Sequence, residues 1–285
     1  MDNIEYIWLS NLDISNTNKI KLIQKLGGIK NLYQCTLEDL MELGVKEETA
    51  YQILNQNWKE KAWRDWDYIQ KNHIQIVCYK DKKYPKQFRR LKDKPVAIYV
   101  KGNLEILQQE SIGIVGSRVA LKESLEIARL LAQYFVNRGI HVVSGLAKGI
   151  DKYAHLGALD TQLVKNGKTI GIVACGLNRK SFYPPENEKL YEKIIQGGGA
   201  VFSEYPIGTN PKPYYFPHRN RLISGLSSQL FVIQASTLKS GSMITVNYAL
   251  EQGKEVFVYQ PVDLNSPYFE GNRLLIEEGA KIFKI

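Results

Sequence analysis

The stretch Lys212-Pro213-Tyr214-Tyr215-Phe216-Pro217-His218-Arg219-Asn220-Arg221 gathers cations, an amide and aromatic rings into one short segment. Arginine pairs bidentately with phosphate, asparagine reads a base edge, and an aromatic ring stacks on an unpaired base. Stacking of that kind contributes about 1–3 kcal/mol per base and suits single strands, whose π-faces are free. A second assignment fits the same composition: Arg219 and Arg221 in structural ion pairs, with Phe216 in the core.

Three further stretches carry glycine and serine directly after apolar runs. They are Gly116-Ser117-Arg118, Gly145-Leu146-Ala147-Lys148-Gly149-Ile150-Asp151 and Ser240-Gly241-Ser242. Glycine lets a backbone approach an anion closely, and serine hydroxyls and free amides donate to phosphate oxygens. In open α/β sheets ligands bind beyond the carboxyl ends of the strands, where helix N-termini converge. The three stretches are therefore expected to form one phosphate-accepting floor.

Other chemistries fail on spacing. A dinucleotide fingerprint needs G-x-G-x-x-G after the first strand and a carboxylate ending the second. Here the first loop reads GIVGSR and the second strand ends Val143-Ser144-Gly145, so NAD is not expected. No G-x-x-x-x-G-K-[ST] occurs, and His73, His141, His155 and His218 stand apart from one another and from cysteine. No cofactor or metal is expected. Cys175 ends a strand without a histidine partner in sequence and reads as a buried thiol. Glu204 lacks a second carboxylate and reads as a hydrogen-bonding group rather than a catalytic acid. His155, four residues after Asp151, reads as a hydrogen-bond partner near a helix cap.

The elements that would position these residues alternate from about residue 111 onward. Apolar runs at 111–115, 141–144, 169–174, 200–204, 230–235 and 255–260, with KIFKI at the end, read as strands. Helical patterns at about 120–138, 149–160, 186–197, 217–225, 242–252 and 272–279 lie between them. That alternation predicts an α/β fold: an extended Rossmann-like, mostly parallel sheet with helices on both faces. Strands at 74–79 and 96–100 precede it, joined by the densely basic KDKKYPKQFRRLKDKP, which reads as a solvated loop or a DNA-facing surface. Residues 1–72 read as a small all-helical domain, and 73–285 as the sheet domain. Leu43-Gly44-Val45 resembles a helix-hairpin-helix turn, which could grip a DNA backbone but reads first as part of a small helical packing module; Trp58, Trp63 and Trp66 read as a packing face.

Composition narrows the class. The chain has 285 residues and a net charge of +9, a surface suited to polyanions. No run approaches the length of a membrane span, and the acidic start MDNIEYIWLSNLD is no signal peptide. Cys35, Cys78 and Cys175 are far apart and unpaired in spacing, as expected of reduced thiols in a cytoplasm.

GIVGSR, SGLAKGID, FPHRNRLISGLS, SGSMITVNYALEQGKEVFVY and GNRLLIEEGA resemble, in order and spacing, the motifs of the DprA/Smf family. The resemblance covers about residues 80–285. It implies a homodimeric Rossmann protein that binds single-stranded DNA without catalysis and assists the RecA recombinase in natural transformation. The helical N-terminal region resembles the sterile-alpha-motif-like domain of many members. Carried over, Arg118 would hold a backbone phosphate, with Gly116 and Ser117 shaping its loop. Phe216 would stack on bases from a basic loop. Lys212, Arg219 and Arg221 would supply charge, as would Lys148 in the second loop. Asn220 would bond the nucleotide or its loop, and Ser240, Gly241 and Ser242 would complete the pocket. Family members often show Gly-x-Asp after the third strand; here Gly176 precedes Leu177-Asn178-Arg179, which weakens any carry-over there. The winged-helix domain appended in some members is not expected in a chain stopping at Ile285. The alternative is a nucleotide-processing enzyme of the lysine-decarboxylase-like group, whose PGGxGTxxE has no counterpart at Ser240–Thr245.

Overall fold

The computed structural model describes residues 3–161, 167–237 and 240–285. Six helices come first: α1 (Asn3–Asn11), α2 (Asn16–Lys25), α3 (Ile29–Gln34), α4 (Leu37–Glu42), α5 (Glu47–Leu54) and α6 (Gln56–Lys71). Short polar side chains start several of them. Ser15 caps α2, Thr36 and Asp39 form a capping box on α4, and Asn55 caps α6. The expected turn at Gly44 lies between α4 and α5, at φ +71°. On α6, Trp58 and Trp66 pack inward while Trp63 is 56% exposed. The indoles therefore do not share one packing face: a step of five residues turns about 140° around a helix of 3.6 residues per turn.

Among the described residues nine strands form one sheet: β1 (Gln75–Cys78), β2 (Ala97–Gly102), β3 (Ser111–Val115), β4 (His141–Ser144), β5 (Thr169–Ile172), β6 (Ala200–Ser203), β7 (Gln229–Val232), β8 (Glu255–Tyr259) and β9 (Lys281–Phe283). Their order is β1-β2-β6-β5-β4-β3-β7-β8-β9, with β1 and β2 antiparallel to their neighbours and the rest parallel. The sheet is crossed by α7 (Lys122–Val136), α8 (Ile150–Leu159), α9 (Glu188–Gln196), α10 (Tyr215–Leu226), α11 (Gly241–Glu251) and α12 (Glu270–Glu277).

Alternation along the strands fills two layers, as period-two side chains must. Ile112, Ile114 and Val142 pack with Ile127 of α7 and Ala154 of α8. Val115, Val143 and Ile170 pack on the other face with Leu222 of α10 and Val246 of α11. That second layer is continuous with Ile7, Trp8 and Leu9 of α1, so the N-terminal helices share its core. A polar seam joins them too: Asn16 donates to Glu204 (3.3 Å) and the Thr17 amide to Asp93 (3.2 Å).

From β3 the chain steps outward through β4, β5 and β6. It then returns to place β7 on the other side of β3. The switch point lies between β3 and β7, and loops there leave a crevice at the strands' carboxyl ends.

Candidate functional site

The three expected loops meet at that switch point. Gly116, Ser117 and Arg118 after β3, Ala147 and Asp151 after β4, and Ser240, Gly241 and Ser242 at the start of α11 line one crevice of about 670 Å³. Gly149, at φ +69°, shows how tightly two of them interlock. A Cβ there would lie 2.3 Å from the Ser117 carbonyl oxygen and 2.6 Å from that of Arg118. Ser117 Oγ donates to Val119 O (2.6 Å), holding the Arg118 loop in a tight turn. At the third loop Ser240 Oγ accepts from the Met243 amide (3.4 Å) and shares a hydrogen bond with Ser242 Oγ (2.9 Å). The N-termini of α8 and α11 thus both face the crevice, presenting partial positive charge and amides without intrahelical partners.

Arg118 is exposed, and no carboxylate stands within ion-pair distance of it among the described residues. Its guanidinium lies 5.1 Å from the centroid of the Phe216 ring. Phe216 is half-buried rather than part of the core, and it occupies the first turn of α10 instead of a loop. Tyr183 approaches the ring edge-on, at 5.6 Å between centroids. The sequence reading missed Tyr183, although the Tyr183-Pro184 step marked a turn beside the site.

Arg219 and Arg221 are both buried and held by protein groups, although Arg219 still contributes to the crevice lining and Arg221 does not. Arg219 is 3% exposed; Nη1 donates to the carbonyl oxygens of Gly145 (2.8 Å) and Ile172, and Nε to Asn220 Oδ1 (3.1 Å). It lies under the second loop and ties two strand ends together. Asn220 Nδ2 in turn donates to Gly241 O (3.1 Å), so the pair Arg219–Asn220 anchors the start of α11. Asp151 Oδ2 accepts the Gly145 and Ala147 amides (3.1 and 3.4 Å). A Cβ on Gly145 would lie 2.6 Å from that oxygen and 2.7 Å from Arg219 Nη2, so only glycine fits between them. Burial pushes the Asp151 carboxyl up, against the opposing pull of Arg219 and the loop amides.

Arg221 points away from the crevice. It is 4% exposed and forms a bidentate pair with Glu204 (2.7 and 2.6 Å). His218 bridges Asp93 (3.0 Å) and Glu204 (3.4 Å) beside it. Burial alone would raise the Glu204 carboxyl; Arg221 and His218 outweigh it and hold the value down to about 2. Burial likewise pulls His218 down, and its bonds to Asp93 and Glu204 raise it to about 9. Glu204 is therefore the hydrogen-bonding group expected. Lys148 is exposed at the crevice edge but pairs with Glu186. Lys212 lies beside the Tyr214 and Tyr215 rings (5.8 and 5.5 Å) rather than among the crevice-lining side chains.

Cys175 is buried, and its thiol is pushed up to about 11 by that burial. His155 bonds Thr169 Oγ1 (2.6 Å), not the cap of α8. Among the described residues no group of His, Cys, Asp and Glu could hold a metal ion, and no helix is long and apolar enough to cross a membrane.

A doubly wound α/β sheet with two helix N-termini and, among the described residues, an arginine without a carboxylate partner at its switch point defines a Rossmann-type scaffold. The chain belongs to the DNA recombination-mediator protein A family, whose sequence model matches residues 75–285. Protein Smf of Escherichia coli (strain K12) is 40% identical over 197 residues, 69% of this chain and 50% of that protein. The DNA processing protein DprA of Bacillus subtilis (strain 168) is 37% identical over 209 residues, 73% of this chain and 67% of that one. The chain thus spans half the length of the E. coli relative. The X-ray structure of DprA from Streptococcus pneumoniae superposes with a TM-score of 0.68 at 31% identity, covering 95% of each chain. DprA from Helicobacter pylori, whose structural study concerns its single-stranded DNA binding mode, gives 0.64 at 33% identity, covering 74% of this chain and 92% of that one.

Proposed function

We propose that this chain binds single-stranded DNA in the switch-point crevice, without catalysis, and assists a RecA recombinase in taking up that strand during natural transformation. The observation that carries the reading is the exposed Arg118 guanidinium over the half-buried Phe216 ring, at a mouth floored by helix N-termini. A phosphate has a cation and amides, and the adjoining base has a ring face. The binding role rather than an enzymatic one is supported by the carboxylates. Asp151 is committed to loop amides and Glu204 to Arg221 on the far side of α10, so neither stands free to move a proton. The recombinase partnership is supported by the family's description as a recombination mediator, and the DNA role by the relatives' printed name, DNA processing protein. A homodimer is part of the same reading. Leu250 and Ile282, 56% and 46% exposed near the β8–β9 end of the sheet, offer it apolar surface.

The test compares single- and double-stranded oligonucleotides of one sequence at matched salt by fluorescence anisotropy. Tighter binding of the single strand, unchanged by EDTA, is expected; equal affinities would sink the reading. Addition of the protein should also speed RecA filament growth on coated single strands.

A further inference from the structure

The basic stretch 80–95 has no part in the crevice. Its 3-10 turn Lys86–Arg90 packs instead on the opposite flank of α10, where Gly225 admits the Leu91 side chain. Between that turn, α10 and the C-terminal half of α11 runs a groove of about 590 Å³. Leu91, Gly225 and the partly exposed Tyr248 line its floor, and Lys86, Arg90, Lys92 and Lys254 stand around it.

The charge of this groove is not neutralised from within. Among the described residues none of those four cations has a carboxylate at ion-pair distance. Asp93, in the same lining, is already held by His218 (3.0 Å) and Arg221 (3.6 Å), which leaves Glu251 as the lining's uncommitted carboxylate. Lys254 is half-buried, and burial together with the like charge of Arg90 lowers its pKa. Two cations crowded on a partly desolvated wall are relieved by an anion placed between them.

We infer that this groove is a second track for single-stranded DNA, taking the strand as it leaves the crevice over the first turns of α10. The inference rests on the crevice reading. Continuity favours a nucleic acid over an acidic polypeptide. The crevice and the groove lie on two flanks of one helix, about 10–12 Å apart. The rim at the start of α10 carries Tyr214, 60% exposed, with Lys212 beside it, in a hollow that shares Asp93 and His218 with the groove. A polymer with repeating phosphates and ring faces engages both flanks and that rim without a change of chemistry.

The experiment measures binding of oligothymidylates of about 6 and about 20 nucleotides, lengths that fill the crevice alone or run beyond it. The proteins are wild type, Arg118→Ala, and the triple variant Lys86→Ala/Arg90→Ala/Lys254→Ala. The triple variant is expected to bind the short oligonucleotide within about twofold of wild type and the long one about tenfold or more weakly. Its log–log salt slope on the long strand should be shallower by about two, for three lost phosphate contacts at about 0.7 each. Equal loss on both lengths, or none on either, overturns the groove. So does competition for the groove by poly-glutamate with the DNA length dependence unchanged, which would hand it to an acidic polypeptide. Arg118→Ala reports on the crevice separately: failure to weaken either length condemns that reading, while the triple variant still judges the groove. If the alanine variant melts early, Lys86→Gln/Arg90→Gln/Lys254→Gln keeps the side-chain stems and carries the same comparison.

Discussion

Arg118 and Phe216 come from elements almost a hundred residues apart, yet the guanidinium of one lies 5.1 Å from the ring centroid of the other. The contact holds a long exposed side chain over a ring without a carboxylate to hold it there. In the proposed function each partner would offer the ligand something different, charge from one and a stacking surface from the other, so substitutions should separate them.

Arg118→Ala should weaken single-strand binding about tenfold or more, since a charge-assisted contact is worth about 1.5–3 kcal/mol. Its salt slope should be shallower by about 0.7. Phe216→Ala should lose a similar affinity with the slope unchanged, because no charge is removed. Both should melt within a few degrees of wild type, the ring lining the crevice rather than packing in a core cluster. Salt titrations of the three proteins decide it, and an identical slope change in both variants would refute the division.

Arg219→Ala is expected to fail for a different reason. It leaves the Gly145 and Ile172 carbonyls and Asn220 without their donor and Asp151 without the nearby charge. Breaking a buried charged network costs roughly 3–5 kcal/mol. The variant should show a large drop in chemical-denaturation midpoint. Arg219→Lys should recover little, since one ammonium cannot reproduce the planar fork. A variant that kept its stability and lost only DNA affinity would restore Arg219 to the ligand surface.

The cluster on the far side of α10 sets a pH window. Glu204 is depressed from 4.5 to about 2, so its contribution is full above 4.5 and lost as pH falls through about 2. His218 is raised from 6.5 to about 9, so its contribution is full below 6.5 and lost as pH rises through about 9. Melting temperature should therefore be highest between about 4.5 and 6.5 as far as these groups govern it. His218→Gln should flatten the alkaline limb, and a limb of undiminished slope in that variant would disprove the assignment. Glu204→Gln should cost roughly 3–5 kcal/mol at neutral pH by stranding the buried Arg221.

Gly149→Ala tests whether the loops must interlock. Its backbone lies in a region that only glycine adopts readily, and the added methyl would collide with the Ser117 and Arg118 carbonyls. Strain of about 1–3 kcal/mol is expected, relieved by displacing the Arg118 loop. Single-strand affinity should fall even though no contacting side chain has changed. Wild-type affinity together with wild-type stability would show the close approach to be dispensable.

The strands and the loops were legible because buried parallel strands are almost wholly apolar, and β3 and β4 run directly into glycine and serine. The roles within residues 212–221 were legible only in part. Arg219 and Arg221 look equivalent as a pair of cations in a basic segment. Two residues apart on a helix, however, they point about 200° from each other, so both could not face one ligand. The sequence reading already placed a helix over 217–225, and that geometry was enough to separate them. What it could not supply was the partner of each: Glu204 and Asp93 for one, the carbonyls of Gly145 and Ile172 for the other. Those partners come from distant strands and loops that only the sheet order brings near. Phe216 was displaced from loop to helix because Pro217 sits in the first turn, where a missing amide costs nothing.

The return of the chain from β6 to β7 also fixes when the crevice comes into being. A growing chain completed only through β6 has β3 at the open edge of its parallel strands, and its Gly116–Arg118 loop still lacks the Gln234 carbonyl that accepts from the Ser117 amide (2.8 Å). It still lacks α10 and the start of α11. Phe216, the Arg219–Asn220 anchor and the Ser240–Ser242 turn all arrive on the far side of that crossing. The parallel strands β3–β6 are therefore synthesised before the residues that close the crevice, so the crevice is a product of the last third of the chain.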